Sequence, residues 1–113
     1  MSCFLKSEKP KQTQFKQQSR YFSNPARLDG IYKNKPYPFC LPRDYAEENL
    51  YAGIREGALG LFARHGIHWH DGQAGKPSNH LCSSQVCCVN FLYPFADQPI
   101  ALAQLLRPIY PEL

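Results

Sequence analysis

Between Arg43 and Gly66 the apolar side chains recur at helical spacing. Leu50, Ile54, Ala58, Leu61 and Phe62 gather on one face at about 100° per residue, with Tyr51 at its border. Asp44 stands as an N-cap, and Glu47 three residues on completes a capping-box pattern. Glu47 and Glu48 also suit the positive end of the helix dipole. Arg64 and His65 occupy the last turn, and Gly66 supplies a left-handed stop. The pattern predicts one long helix over 44–65. Glu47 projects onto the line of the apolar face, Glu48 lies at its edge, and Glu56 points away. Gly53, Gly57 and Gly60 each cost up to about 1 kcal/mol relative to alanine, so this helix depends on packing.

Elsewhere the period changes. Ile67 and Trp69 alternate with His68 and His70, the spacing of a half-buried strand, long enough for a single strand or an extended link. The stretch "QAGKPSN" is loop. Ser83 or Ser84 caps a helix that runs to about Tyr93 and stops at Pro94. That helix is apolar around most of its circumference and is expected to be largely buried. Asp97 caps a last helix over 98–107, with Pro99 in the permitted first turn and Pro108 beyond the end. Its apolar set is Ile100, Leu102, Ala103, Leu105 and Leu106. Residues 21–42 combine Asn24-Pro25 and Asp29-Gly30 with Pro36, Pro38 and Pro42. Proline lacks a donor and pushes its predecessor out of the helical region, so this arm reads as irregular. Tyr32, Tyr37 and Phe39 would hold it down, rather than a backbone ladder. The fold class is therefore mainly α, with an extended, irregular N-terminal arm and at most a short strand.

Composition narrows this picture. A chain of 113 residues, 43% apolar, supports one domain with a core of moderate size. No apolar run approaches the roughly 20 residues of a membrane helix, and "MSCFLKSEKPKQ" lacks the apolar centre of a secretory signal. The expectation is a cytoplasmic protein without a membrane partner. Five cysteines, an odd number, are expected as reduced thiols. The net charge of +4 is concentrated in residues 1–20, where Lys6, Lys9, Lys11, Lys16 and Arg20 face Glu8 alone. Residues 1–25 therefore read as a disordered basic tail, and 26–113 as the folded part. Such a tail is able to touch DNA or acidic lipid, or is a solvated extension with no partner.

Few residues suggest chemistry. His65, His68, His70 and His80 lie near Cys82, Cys87 and Cys88 in sequence, but no CxxC or HxxxH element is present to converge on zinc. Cys87 and Cys88 would diverge by about 100° on a helix, so small buried thiols explain them better. Cys82 with His80 close by is the best candidate for a nucleophilic thiol, although such a pair is usually structural. There is no G-x-S-x-G turn and no phosphate-binding glycine loop. Carboxylates remain: Glu47, Glu48 and Asp71. Glu47 caps its helix and Glu48 is solvated in the plainer reading. In the sharper one, a carboxylate supports a metal site completed elsewhere.

The runs "YPFCLPRDYAEENLYAGIREGALGLFARHGIHWHDG" and "NHLCSSQVCCVNFLYPFADQP" resemble the N-terminal region of a bacterial group in the PD-(D/E)XK nuclease superfamily. The similarity covers about residues 27–113 and rests on "PFCLP", "ENLY" with "IRE", "IHWH" and "SSQVCCVNFLYP". The resemblance implies an incomplete portion of an α/β restriction-endonuclease-like fold. In the whole fold an aspartate and a Glu-x-Lys or Asp-x-Lys pair bind Mg²⁺ and activate water for phosphodiester hydrolysis. A glutamate on the first core helix often assists, and that role maps onto Glu47 or Glu48. No Glu-x-Lys or Asp-x-Lys occurs here. The resemblance thus implies a fragment that is inactive alone and holds no Mg²⁺ itself. Expected partners are DNA, and either a missing C-terminal portion or another protein covering the apolar helices. The competing reading is a small helical interaction module that is not an enzyme.

Overall fold

The structure, a computed structural model, describes residues 3–112. The chain is mainly helical: α1 (Cys3–Gln18), α2 (Ala52–His65), α3 (Ser84–Leu92) and α4 (Pro99–Leu106). One two-stranded antiparallel sheet joins β1 (Gly30–Tyr32) to β2 (Lys35–Tyr37), and 3-10 turns cover Pro25–Arg27, Arg43–Asn49 and Tyr93–Phe95.

The basic leader is not disordered: α1 occupies most of it. Its anchor is Lys16, wholly buried, whose ammonium donates to the carbonyls of Leu28 at 2.8 Å and Cys40 at 2.9 Å. Burial lowers the pKa of this amine. Gln17 adds a bond to the Arg27 carbonyl at 2.7 Å, and Phe15 meets Phe22 edge to face. Composition counts the charges of a leader. It does not reveal that one of them fills two otherwise orphaned carbonyls, each such charged bond contributing about 1.5–3 kcal/mol.

The proline-rich arm does carry a ladder, contrary to expectation. Ile31 pairs with Pro36 and Tyr32 with Lys35 across a two-residue loop. Lys33 and Asn34 both take positive φ, 49° and 69°. That is the turn whose twist matches a hairpin, but Lys-Asn lacks the usual Asn-Gly signature. Pro36 is tolerated because β2 is an edge strand. Further on, Phe39–Leu41 runs beside Asn79–Leu81: Leu41 N donates to Asn79 O, Leu81 N to Phe39 O, and Cys40 bridges His80.

The long helix predicted from Asp44 begins instead at Ala52. Residues 43–49 form a 3-10 segment, and Leu50 and Tyr51 are extended. Asp44 caps nothing and no capping box forms. Long-range amides win over local propensity here: Asn49 is committed to the carbonyls of Ser78 and His80, and Asn90 takes the Tyr51 N–H. From Ala52 onward the predicted face is right. Ile54, Ala58 and Phe62 are buried, and Gly66 ends the helix at φ 60°. Leu50, Ala58, Phe62, Trp69 and Val86 form one core cluster, with Phe62 and Trp69 stacked at 3.8 Å. Phe22, Ala26 and Leu41 form a second.

Residues 67–70 are an extended link without a strand partner; Trp69 goes into the core and Ile67 stays out. Ser83 caps α3 as expected, its hydroxyl accepting from Val86 N. Yet α3 is not largely buried. Val86 alone is, and Cys87, Cys88, Phe91 and Leu92 are exposed. Gln98, not Asp97, precedes α4, with no side-chain cap. No residue of α4 is buried.

Candidate functional site

The irregular middle of the chain closes around a cleft of about 270 Å³. The hairpin contributes Tyr32, Lys33 and Asn34, the 3-10 segment Arg43 and Ala46, and the loop after the extended link Asp71, Gly72, Gln73, Lys76 and Pro77. These segments have little regular structure of their own, so buried amides hold them in place. Asn79 donates to the carbonyls of Ile31 and Leu41, both at 2.8 Å, fixing the hairpin. Asn49 donates to Ser78 O at 2.8 Å and His80 O at 2.9 Å, fixing the loop against the 3-10 segment. Asn90 accepts from Tyr51 N and donates to Asn49 O, while Gln85 accepts from His70 N and donates to His68 O. Each amide pairs backbone groups that would otherwise be unmatched.

The cleft is cationic. Lys33, Arg43 and Lys76 line it against a single carboxylate, Asp71. Asp71 is engaged: the Tyr32 hydroxyl donates to it at 2.9 Å, and His70 lies 3.7 Å away. Burial first, and then this hydrogen bond, push the Tyr32 hydroxyl up to about 12, so it remains a donor. Lys76 stands 3.9 Å from Glu47, a loose pair. The arrangement surrounds one carboxylate with three cations, a setting suited to holding an anion.

Glu47 and Glu48 diverge in role. Both oxygens of Glu48 accept from Ser23, from its N–H at 2.7 Å and its hydroxyl at 2.6 Å, tying the arm to the 3-10 segment. Glu47 faces Lys76 at the rim of the cleft. A Mg²⁺ site of the implied kind needs at least two carboxylates with free lone pairs converging on one point. Among the described residues no three His, Cys, Asp or Glu side chains group to hold a metal ion.

Cys40 and Cys82 are poorly placed to attack. Cys82 N–H donates to His80 Nδ1 at 3.0 Å, so that nitrogen is an acceptor within a local turn. Burial lowers the His80 pKa and raises that of Cys82, the reverse of a thiolate–imidazolium pair. Burial pushes the Cys40 thiol up to about 12. His65, His68 and His70 are exposed, as are Cys87 and Cys88. Among the described residues, no helix is long and apolar enough to cross a membrane.

Sequence patterns missed Lys16, Asn49 and Asn79, along with the cleft cations Lys33, Arg43 and Lys76. Asn79 directly before the His80 bridge carries no local signal, because its partners lie 48 and 38 residues away. No curated protein and no solved structure matches the chain. A sequence model of the family described as REase-ARP, Restriction Endonuclease associating with ARP, matches residues 9–112, starting within the basic leader and spanning nearly everything after it. The chain therefore belongs to the family of restriction endonucleases associating with ARP.

Proposed function

We propose that this chain is the non-hydrolysing part of a restriction-endonuclease assembly. It supplies a helical scaffold and a cationic cleft, while the carboxylates and lysine that cut phosphodiesters come from elsewhere in the assembly. One observation carries this reading. A member of an endonuclease family holds its helix-region glutamates on Ser23 and Lys76, and has no Glu-x-Lys or Asp-x-Lys pair. Mg²⁺ then belongs to the assembly and not to this chain. The test is supercoiled plasmid incubated with the purified chain and Mg²⁺. The DNA is expected to stay intact. Nicking that vanished in both Glu47→Gln and Glu48→Gln would overturn the reading.

The apolar C-terminal end favours a second, compatible role in protein association. Ile100 and Ile109 are 74% and 71% exposed, and Phe91, Leu92 and Leu105 are exposed as well. Several exposed large apolar side chains within one stretch of chain favour an interaction face when they adjoin. ARP, which the family description names as the associating component, is the occupant we assign to it. Ile100→Ser with Ile109→Ser should abolish co-purification with ARP. Retention equal to the parent chain would dispose of this assignment.

A further inference from the structure

We infer that the cleft between the hairpin turn and the 71–79 loop binds a phosphate ester, gripped by Arg43 and Lys33 and seated beside Lys76. The inference rests on the nuclease-related reading above, and names the ligand chemistry of that same site.

Charge is the first ground. Three cations from three separate segments meet at one concavity. One oxygen of the carboxylate among them accepts from Tyr32, Lys76 has only a loose partner in Glu47, and the three cations still outnumber these two carboxylates. Such a collection of like charges raises the energy of the empty site and lowers it when an anion enters.

Unused donors are the second. Arg43 is exposed, and its guanidinium makes no hydrogen bond or ion pair with any described residue. Its planar fork is therefore free to take two oxygens of one phosphate. The side-chain amides of Asn34 and Gln73 likewise have no hydrogen-bond partner among the described residues. Lys33 stands at the left-handed turn, with its ammonium 5.4 Å from the centre of the Tyr32 ring. That contact keeps the charge against the cleft wall.

Shape is the third. Gly72, Ala46 and Pro77 contribute small, uncharged walls. A Cβ at Gly72 would fall 2.1 Å from the Lys76 carbonyl, so the loop closes on itself only with glycine there. The space, about 270 Å³, lies at the small end of ligand clefts. It suits a phosphate and its sugar, not a bulky cofactor. A carboxylate has two oxygens for a site with one fork, two ammoniums and two amides. A phosphate ester presents more acceptors and matches the donor set better.

The polynucleotide backbone and a free nucleotide share this chemistry, and titration separates them. The ¹⁵N-labelled full chain is titrated with a short DNA duplex, with adenosine monophosphate and with inorganic phosphate. Shifts confined to Lys33, Asn34, Gly72 and Lys76 amides are expected with at least one of them. Shifts with the duplex alone identify the backbone as the source; equal shifts with the mononucleotide identify a free nucleotide. For whichever ligand binds, Arg43→Ala with Lys33→Ala should weaken affinity about tenfold or more. If that ligand is the duplex, the log–log salt slope should fall by about 1 for each lost phosphate contact. Both side chains are exposed, so a melting curve like the parent's serves as the folding control. Lys11→Ala with Arg64→Ala removes the same charge outside the cleft and should cost much less. Equal losses from both pairs, or no shift at the cleft with any of the three ligands, would overturn the inference. Neither result touches the non-hydrolysing reading, which stands or falls on plasmid cleavage.

Discussion

The middle of the fold and its C-terminal end treat apolar residues in opposite ways. Around α2, an irregular stretch with a hairpin and a 3-10 segment is locked by buried amides and a buried lysine over two small apolar clusters. At the C-terminal end, α4 is a regular helix rich in leucine and alanine, and buries none of its residues. Regularity and burial are thus decoupled. The middle spends its polar side chains on backbone groups and so dispenses with long elements, whereas α4 satisfies its own backbone and leaves its side chains exposed or half-buried.

Leu50→Ala should break the contrast most severely. Leu50 is fully buried in the main cluster, and truncating it is expected to cost about 2–5 kcal/mol in denaturant unfolding. A loss below about 1 kcal/mol would mean that this cluster is loosely packed after all. Asn79→Ala comes next. It leaves the carbonyls of Ile31 and Leu41 without their donor, an expected loss of about 1–3 kcal/mol, with faster amide exchange in the hairpin. Unchanged exchange at Ile31 and Tyr32 would show that the amide does not hold the hairpin. Ile100→Ser should have the smallest effect, within about 0.5 kcal/mol on the isolated chain. A loss comparable to Leu50→Ala would place α4 inside the core and remove the distinction between the middle and the C-terminal end.

Legibility in the sequence follows the range of the interactions. Gly66 as a stop, Ser83 as a cap and the Ile54–Ala58–Phe62 face were all readable, because each depends on neighbours within about one or two helical turns. The start of α2 was not. Asp44 and Glu47 have the right local chemistry for a cap, but Asn49 and Asn90 draw the backbone at Leu50 and Tyr51 into an extended form from 29 to 41 residues away. The leader failed for a similar reason: a high positive charge argues for solvation until Leu28 and Cys40 offer Lys16 their carbonyls. Of the candidate site, Glu47, Glu48 and Asp71 were singled out in advance. Their division of labour among a rim pair, a tether and a cleft carboxylate was not.

The amino-acid order alone determined a mainly helical chain with one irregular arm, an amphipathic central helix and two apolar C-terminal helices, since periodicity and capping are local properties. It also determined that no Glu-x-Lys or Asp-x-Lys pair is present. Only the tertiary structure decided that Lys33, Arg43 and Lys76 share a concavity, that Ser23 occupies both oxygens of Glu48, and that α4 buries none of its residues. Those outcomes depend on which distant carbonyls, amides and apolar faces meet once the chain closes, and no local pattern records such meetings.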